Sequence, residues 1–213
     1  MNRHDQFDVL MCALDEKRTV KQTVTELNRI SLVKGVRLVD DGSTDETAEL
    51  AESAGAQVTR LSKNYGKAQA MRIGLTEITT PLVLLWDADL RGTNANHLQL
   101  MMDRYLKLKS LNPDKPAMVV GVLNLFGQKM MPNLSGQRLL ETDALRDFFE
   151  GHPDLARFGI EVELTEWARE HDWSTNSPTL FKIKHLGKER KRGIIRGFFI
   201  HRIPMYWQML VRK

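Results

Sequence analysis

Residues 81–92 read PLVLLWDADLRG, an apolar run that ends abruptly in two aspartates one residue apart. The run is too short for a helix and apolar on both sides, so it predicts a strand buried from both faces of a sheet. Upstream the pattern repeats. Strands are expected over residues 7–13 (FDVLMCA), 36–39 (VRLV) and 57–61, and helices over 18–30, 45–54 (closed by Gly55) and 67–78. Strands and helices alternating at this spacing call for βαβ units: an α/β fold with a Rossmann-like, mostly parallel central sheet flanked by helices. Downstream the order loosens. A helix is expected over 95–111, a loop at NPDKP, a strand over 118–125, a helix-rich stretch over 135–171 and an alternating strand over 179–184 (TLFKIK).

In such sheets ligands sit beyond the C-terminal strand ends. There the sequence is acidic three times: Asp15 and Glu16 after the first strand, Asp40 and Asp41 after the second, Asp87 and Asp89 after PLVLLW. Carboxylates converging on one edge need a cation, hydrogen-bond donors or solvent between them. For any one group the plain alternative is helix capping, to which Ser43, Thr44 and Asp45 are suited. Asp87 and Asp89 together can bring hard oxygens to one divalent ion, the ligand chemistry of Mg2+ or Mn2+ carrying substrate phosphates.

The chain has 213 residues, 42% hydrophobic, with no repeat and only 14 Gly and 7 Pro, which excludes collagen-like, low-complexity and solenoid classes. Its lone cysteine, Cys12, sits in an apolar run and points to a reducing compartment. The opening MNRHDQFD lacks a signal-type apolar stretch, and no window approaches the ~20 apolar residues of a membrane span. Charge is unevenly spread: residues 182–213 hold ten Lys/Arg and one acid, a net +9, against −5 over residues 1–181.

In the order VDDGSTDETAELAE, KNYGKAQAMRIGL, LLWDADLRG, these motifs resemble family 2 glycosyltransferases of the GT-A fold. The resemblance is to polyprenyl-phosphate hexosyltransferases and glucosyl-3-phosphoglycerate synthase-like members, over roughly residues 7–187. It implies metal-dependent transfer of a hexose from a UDP- or GDP-linked sugar. By position, CALDE would place Ala13, Leu14 and Glu16 at the nucleobase and ribose, although Cys12 stands where Pro is usual and Asp15 where Asn is. Val39 and Asp41 would meet the base, with Asp40 holding the loop. Lys67 would open a helix against the nucleotide, where backbone N–H groups attract anions. Asp87 would lie nearer the ribose, with Ala88 beside it, and Asp89 nearer the metal and diphosphate. Arg91 stands where some relatives carry a Gln ligand, and it suits a phosphate or an acid instead. His185, after the late strand, would complete the metal shell.

On the acceptor side, SGQRLLETDALRDFF and RFGIEVELTEWARE match the family's corresponding region. Gln137 and Arg138 are expected to position acceptor or donor. Glu161 is the candidate for sugar binding or general base, with Glu163 as runner-up and helix capping as the alternative role for Glu161. Lys188 and Arg190 fall in a basic loop suited to closing over a diphosphate. The aromatic and basic remainder suits a helix in a membrane interface or one docked on the protein core. The expected organisation is a glycosyltransferase domain over 1–187, with a nucleotide-sugar half to about 92 and an acceptor half to 187, then a tail over 188–213. An interfacial tail implies a lipid acceptor, a polyprenyl phosphate or glycerolipid, at the cytoplasmic membrane face, and inverting transfer. Transfer to a small soluble acceptor, a non-catalytic scaffold of the same fold and a homodimer stay open. Nucleic acid is not expected as a partner. A sugar-phosphate nucleotidyltransferase would carry a Gly-rich loop where ALDEKRT stands, and a dehydrogenase a G-x-G-x-x-G.

Overall fold

The computed structural model describes residues 6–125, 128–129, 131–155 and 159–185. Its elements run β1 (Phe7–Ala13), α1 (Val20–Asn28), β2 (Val33–Asp40), α2 (Thr47–Ser53), β3 (Gln57–Arg60), α3 (Lys67–Leu75), β4 (Leu82–Leu85), β5 (Leu90–Arg91), α4 (Ala95–Leu111), β6 (Ala117–Val120), β7 (Val122–Leu125), β8 (Gln128–Lys129), β9 (Arg138–Glu141), α5 (Thr142–Gly151), α6 (Ile160–Glu170), β10 (Ser174–Asn176), β11 (Thr179–Leu180) and β12 (Lys184–His185). Seven strands form one sheet in the order β10-β6-β9-β4-β1-β2-β3. Every neighbouring pair in it is parallel except the two made by β9. The expected mostly parallel α/β sheet is therefore present. Period-2 alternation sorts its side chains. Val9 and Met11 pack with α1, α2 and α4 on one face, and Leu10 with α3, α5 and α6 on the other.

The chain runs outward from β1 to β2 and β3, then returns across β1 to lay down β4. That reversal between β1 and β4 is the switch point at which such sheets open a crevice beyond their strand ends. Cys12 and Ala13 end one strand beside it, and Asp87 and Asp89 follow the other.

Three expectations are corrected. Arg138–Glu141, expected within a helix-rich stretch, is a strand lying antiparallel between β4 and β6. Its first three residues are buried, so its identity comes from strand partners distant in sequence. The run over 118–125 breaks at Gly121, whose N–H donates to the Gln137 carbonyl while Val122 turns away to β11. A Cβ at Gly121 would lie 2.6 Å from a Leu180 methyl, so any other residue there would force the Leu180 side chain to shift. TLFKIK, expected as one strand, is interrupted by Lys182 at φ 65° and divides into β11 and β12.

Candidate active site

The loops after β1 and β2 are bound to each other. Asp15 adopts φ 55°, a left-handed conformation that Asn and Asp tolerate better than other side chains. Its N–H donates to Ser43 Oγ at 3.0 Å and its Oδ1 accepts from Thr44 N–H at 3.0 Å. Glu16 N–H donates to Thr47 Oγ1 and Asp41 N–H to the Ala13 carbonyl. Asp40 accepts from Ser43 N–H, the loop-holding role expected of it. Asp41 uses both carboxylate oxygens on the next loop, accepting from Tyr65 N–H at 2.7 Å and Gly66 N–H at 2.9 Å. Val39 and Ala13 are buried, Leu14 is half-buried, and the Glu16 side chain is buried, accepting from the Thr19 hydroxyl. So the carboxylates of Asp41 and Glu16, placed by sequence at the nucleobase, shape the pocket's loops in this structure.

Lys67 is the first residue of α3, as expected, but its ammonium reaches carboxylates. Nζ lies 2.8 Å from Asp87 Oδ1 and 2.6 Å from Glu161 Oε1. Burial disfavours the charged lysine, yet the two carboxylates outweigh it and raise its pKa above the ordinary value. For Glu161, burial pushes the carboxyl up, and the ammonium of Lys67 more than offsets that, holding it below its ordinary value. Glu161 lies in the first turn of α6, which is helical here. Glu163, two residues on, is therefore turned away from it by about 200°. The Cys12 thiol, 3.9 Å from the Lys67 carbonyl, is pushed up to about 12 by burial and stays protonated near neutral pH.

The second Asp87 oxygen, Oδ2, accepts from Gln137 Nε2 at 2.7 Å. Gln137 thus faces Asp87. Arg138 is 1% exposed. Its guanidinium donates to the Ser135 carbonyl at 2.9 Å, the Glu161 carbonyl at 2.7 Å and Thr165 Oγ1 at 3.0 Å, fastening the start of α6 to the sheet. Burial lowers its pKa to about 10, against the pull of Glu161 and Asp87. A small cavity is lined by Lys67, Met71, Gly136, Arg138, Ile160 and Glu161.

Asp89 and Ala88 are buried. The turn they occupy is held by Thr23 of α1, whose hydroxyl contacts the Ala88 and Leu90 carbonyls at 3.1 and 2.6 Å. Thr23 carries no sequence signal of this role, because its partners lie more than 60 residues away. Arg91, expected to suit a phosphate or acid, instead donates to the Arg18 carbonyl, because β5 runs beside the start of α1. β12 pairs antiparallel with β5, placing the backbone of His185 opposite Leu90, one residue from Asp89. Lys188, Arg190 and the tail lie outside the described residues.

Among the described residues, no three His, Cys, Asp or Glu side chains gather into a metal cluster. Asp87 and Asp89 nonetheless fit Mg2+ or Mn2+: they are hard oxygen donors, and such ions keep waters and substrate phosphates in their remaining positions. Gly136 supports this fit, because a Cβ there would lie 2.5 Å from Asp87 Oδ2 and push the carboxylate aside.

Residues 8–110 match the family model described as Glycosyl transferase family 2, bearing out the family read from the motifs. Among curated proteins, the undecaprenyl-phosphate 4-deoxy-4-formamido-L-arabinose transferase of Sodalis glossinidius is 29% identical over 98 residues, 41% of this chain and 30% of that protein. The 4,4'-diaponeurosporenoate glycosyltransferase of Staphylococcus aureus is 27% identical over 107 residues, 48% of this chain and 28% of that protein. The matched segment thus spans less than a third of these relatives. Among solved structures, glucosyl-3-phosphoglycerate synthase of Mycobacterium tuberculosis superposes with a TM-score of 0.66 at 18% identity, covering 92% of this chain and 79% of that one. That enzyme has been crystallised with Mn2+, UDP-glucose and phosphoglyceric acid. At this identity the likeness is one of fold, and the fold is GT-A.

Proposed function

From the family 2 glycosyl transferase match over residues 8–110, we propose that this chain is a metal-dependent glycosyltransferase that takes a hexose from a UDP- or GDP-linked sugar, with inversion. The observation that carries the reading is the pair Asp87 and Asp89 at the β1/β4 switch point, Asp87 gripped from one side by Lys67 and from the other by Gln137. Ala13, Leu14, Glu16, Val39 and Asp41 would border the base and ribose. Asp87, Asp89 and His185 would hold Mg2+ or Mn2+, and Lys188 and Arg190 would close over the diphosphate. The bound ion supplies Lewis-acid compensation for the charge that grows on the departing nucleoside diphosphate. Lys67, already ionised in a partly buried position, would add a second positive charge there. For a hydroxyl acceptor, Glu161 Oε1 is the candidate to take the proton as the acceptor oxygen attacks; for a phosphate acceptor no base is needed.

For the acceptor we favour a lipid presented at the cytoplasmic membrane face, with residues 1–187 as the catalytic unit and 188–213 as a basic surface-binding tail. The two curated relatives are named for undecaprenyl-phosphate and for 4,4'-diaponeurosporenoate, and no helix among the described residues is long and apolar enough to cross a membrane. The fold likeness to a phosphoglycerate-using enzyme supports a second reading, a small soluble acceptor. A thermal-shift panel of UDP- and GDP-sugars with Mn2+ or EDTA tests the donor site. One nucleotide sugar should raise the melting temperature only with Mn2+, and Asp89→Ala should abolish the shift. A folded protein that responds to none of them would leave the scaffold alternative standing. Sedimentation with anionic vesicles, with and without residues 188–213, separates the two acceptor readings.

A further inference from the structure

Gln137, Ser135 and Gly121 form a chain of buried groups that ends on Asp87. Gln137 and Ser135 have no measurable exposure. Ser135 Oγ lies 2.9 Å from Gln137 Oε1 and 2.6 Å from the Gly121 carbonyl, while Gly121 N–H donates to the Gln137 carbonyl at 2.8 Å. Asp87, paired with the Lys67 ammonium, can only accept, so the amide must present Nε2 to Oδ2. Oε1 then faces Ser135, whose single hydroxyl proton it shares with the Gly121 carbonyl. The adjoining Gly136 leaves no room between this segment and the carboxylate. One Asp87 oxygen is therefore met by a cation on a long side chain that is shared with Glu161, the other by a neutral, fully buried amide immediately before β9.

On the reading of Asp87 as a ligand of the donor-site ion, we propose that Gln137 is a positioning residue which fixes the plane of the Asp87 carboxylate for divalent-cation binding. A neutral donor does this without adding positive charge to repel the ion. Partners behind a metal-binding carboxylate typically govern affinity by 10–100-fold. The test is electron paramagnetic resonance titration of Mn2+ in the presence of UDP, and in parallel GDP, on the full chain. Gln137→Leu should bind Mn2+ about tenfold more weakly, with a cooperative metal-free melting curve confirming that it folds. Ser135→Ala should shift affinity the same way by less. If Gln137→Leu proves unstable, Gln137→Asn, whose amide is one methylene short of Asp87, carries the same expectation. Unchanged Mn2+ affinity in a folded Gln137 variant, alongside a clear loss in Asp87→Ala, would overturn the positioning role and spare the donor site. Unchanged affinity in both Asp87→Ala and Asp89→Ala would overturn the donor-site reading itself, and this inference with it.

Discussion

Replacing Lys67 by Met should make the protein bind Mn2+ more tightly when no nucleotide is present. The ammonium stands 2.8 Å from Asp87 Oδ1, occupying one lone-pair direction of a proposed metal ligand and repelling any second cation. At an effective dielectric of ~20, unit charges ~4 Å apart interact by about 4 kcal/mol. The Lys67 and Asp87 side chains keep 31% and 28% exposure, and solvent at such a site removes much of that figure. A residue of about 1.4 kcal/mol is a tenfold change in affinity. Lys67→Met should therefore bind free Mn2+ about tenfold more tightly, while UDP, losing a cation near its diphosphate, binds the Mn2+-loaded protein more weakly. Mn2+ resonance titrations with and without UDP read both effects, and a melting curve checks folding. Mn2+ binding that is unchanged or weaker in folded, nucleotide-free Lys67→Met would refute the idea that the ammonium and the ion compete for Asp87.

Other outcomes follow from the same contacts. Arg138→Met should cost about 1–3 kcal/mol in urea denaturation, because the Ser135 carbonyl loses its donor inside the protein, whereas the Glu161 carbonyl keeps the Thr165 hydroxyl. Stability should also depend on pH at both extremes. Glu161 titrates lower in the folded than in the unfolded chain, so its contribution is present above its ordinary value of 4.5 and disappears as pH falls through the lower folded value. Lys67 titrates higher when folded, so its contribution is present below 10.5 and disappears only as pH rises through the raised value. Melting temperatures across pH should fall at both ends, and Glu161→Gln should flatten the acid limb. Cys12, with its thiol raised to about 12, should resist iodoacetamide at pH 8 in the native protein and react readily in urea, as followed by mass spectrometry.

The first half of the sheet could be read because its determinants are local. FDVLMCA and PLVLLW are short apolar runs, helices separate the strands, and Asp87 and Asp89 directly follow a strand end, so their place on the ligand edge follows from order alone. α4 appears at the 95–111 bounds set by its periodicity. What could not be read depends on neighbours far along the chain. RLLE is a strand because β4 and β6 flank it; alone, those four residues suit a helix equally well. The partners of Lys67 lie 20 and 94 residues away. The motif leaves Gln137 open between acceptor and donor, and only the antiparallel pairing of β9 with β4 shows that it meets Asp87. Arg138, read as a ligand contact, is a buried anchor, since only its place in the sheet reveals how little of it is exposed.

The register of β9 also bears on how the site works as a unit. Dividing the chain near residue 92 separates a nucleotide half from an acceptor half in sequence, but the sheet interleaves them: β9 lies between β4 and β6. Asp87 comes from the first half and has one oxygen held from within it, by Lys67, and the other from the second half, by Gln137. Glu161 comes from the second half. Its carboxylate is held by Lys67 of the first and its carbonyl by Arg138, which adjoins Gln137 in the chain. Moving α6 outward would therefore strain Arg138 and free Lys67 from one of its two carboxylates, changing the charge around Asp87 without any direct contact between α6 and that residue. On the proposed reading, an acceptor that displaced Glu161 would alter the cation affinity at Asp87 through one ammonium. A Lys67 released from Glu161 would rest wholly on Asp87 and compete harder with the ion unless a nucleotide diphosphate were present to receive it.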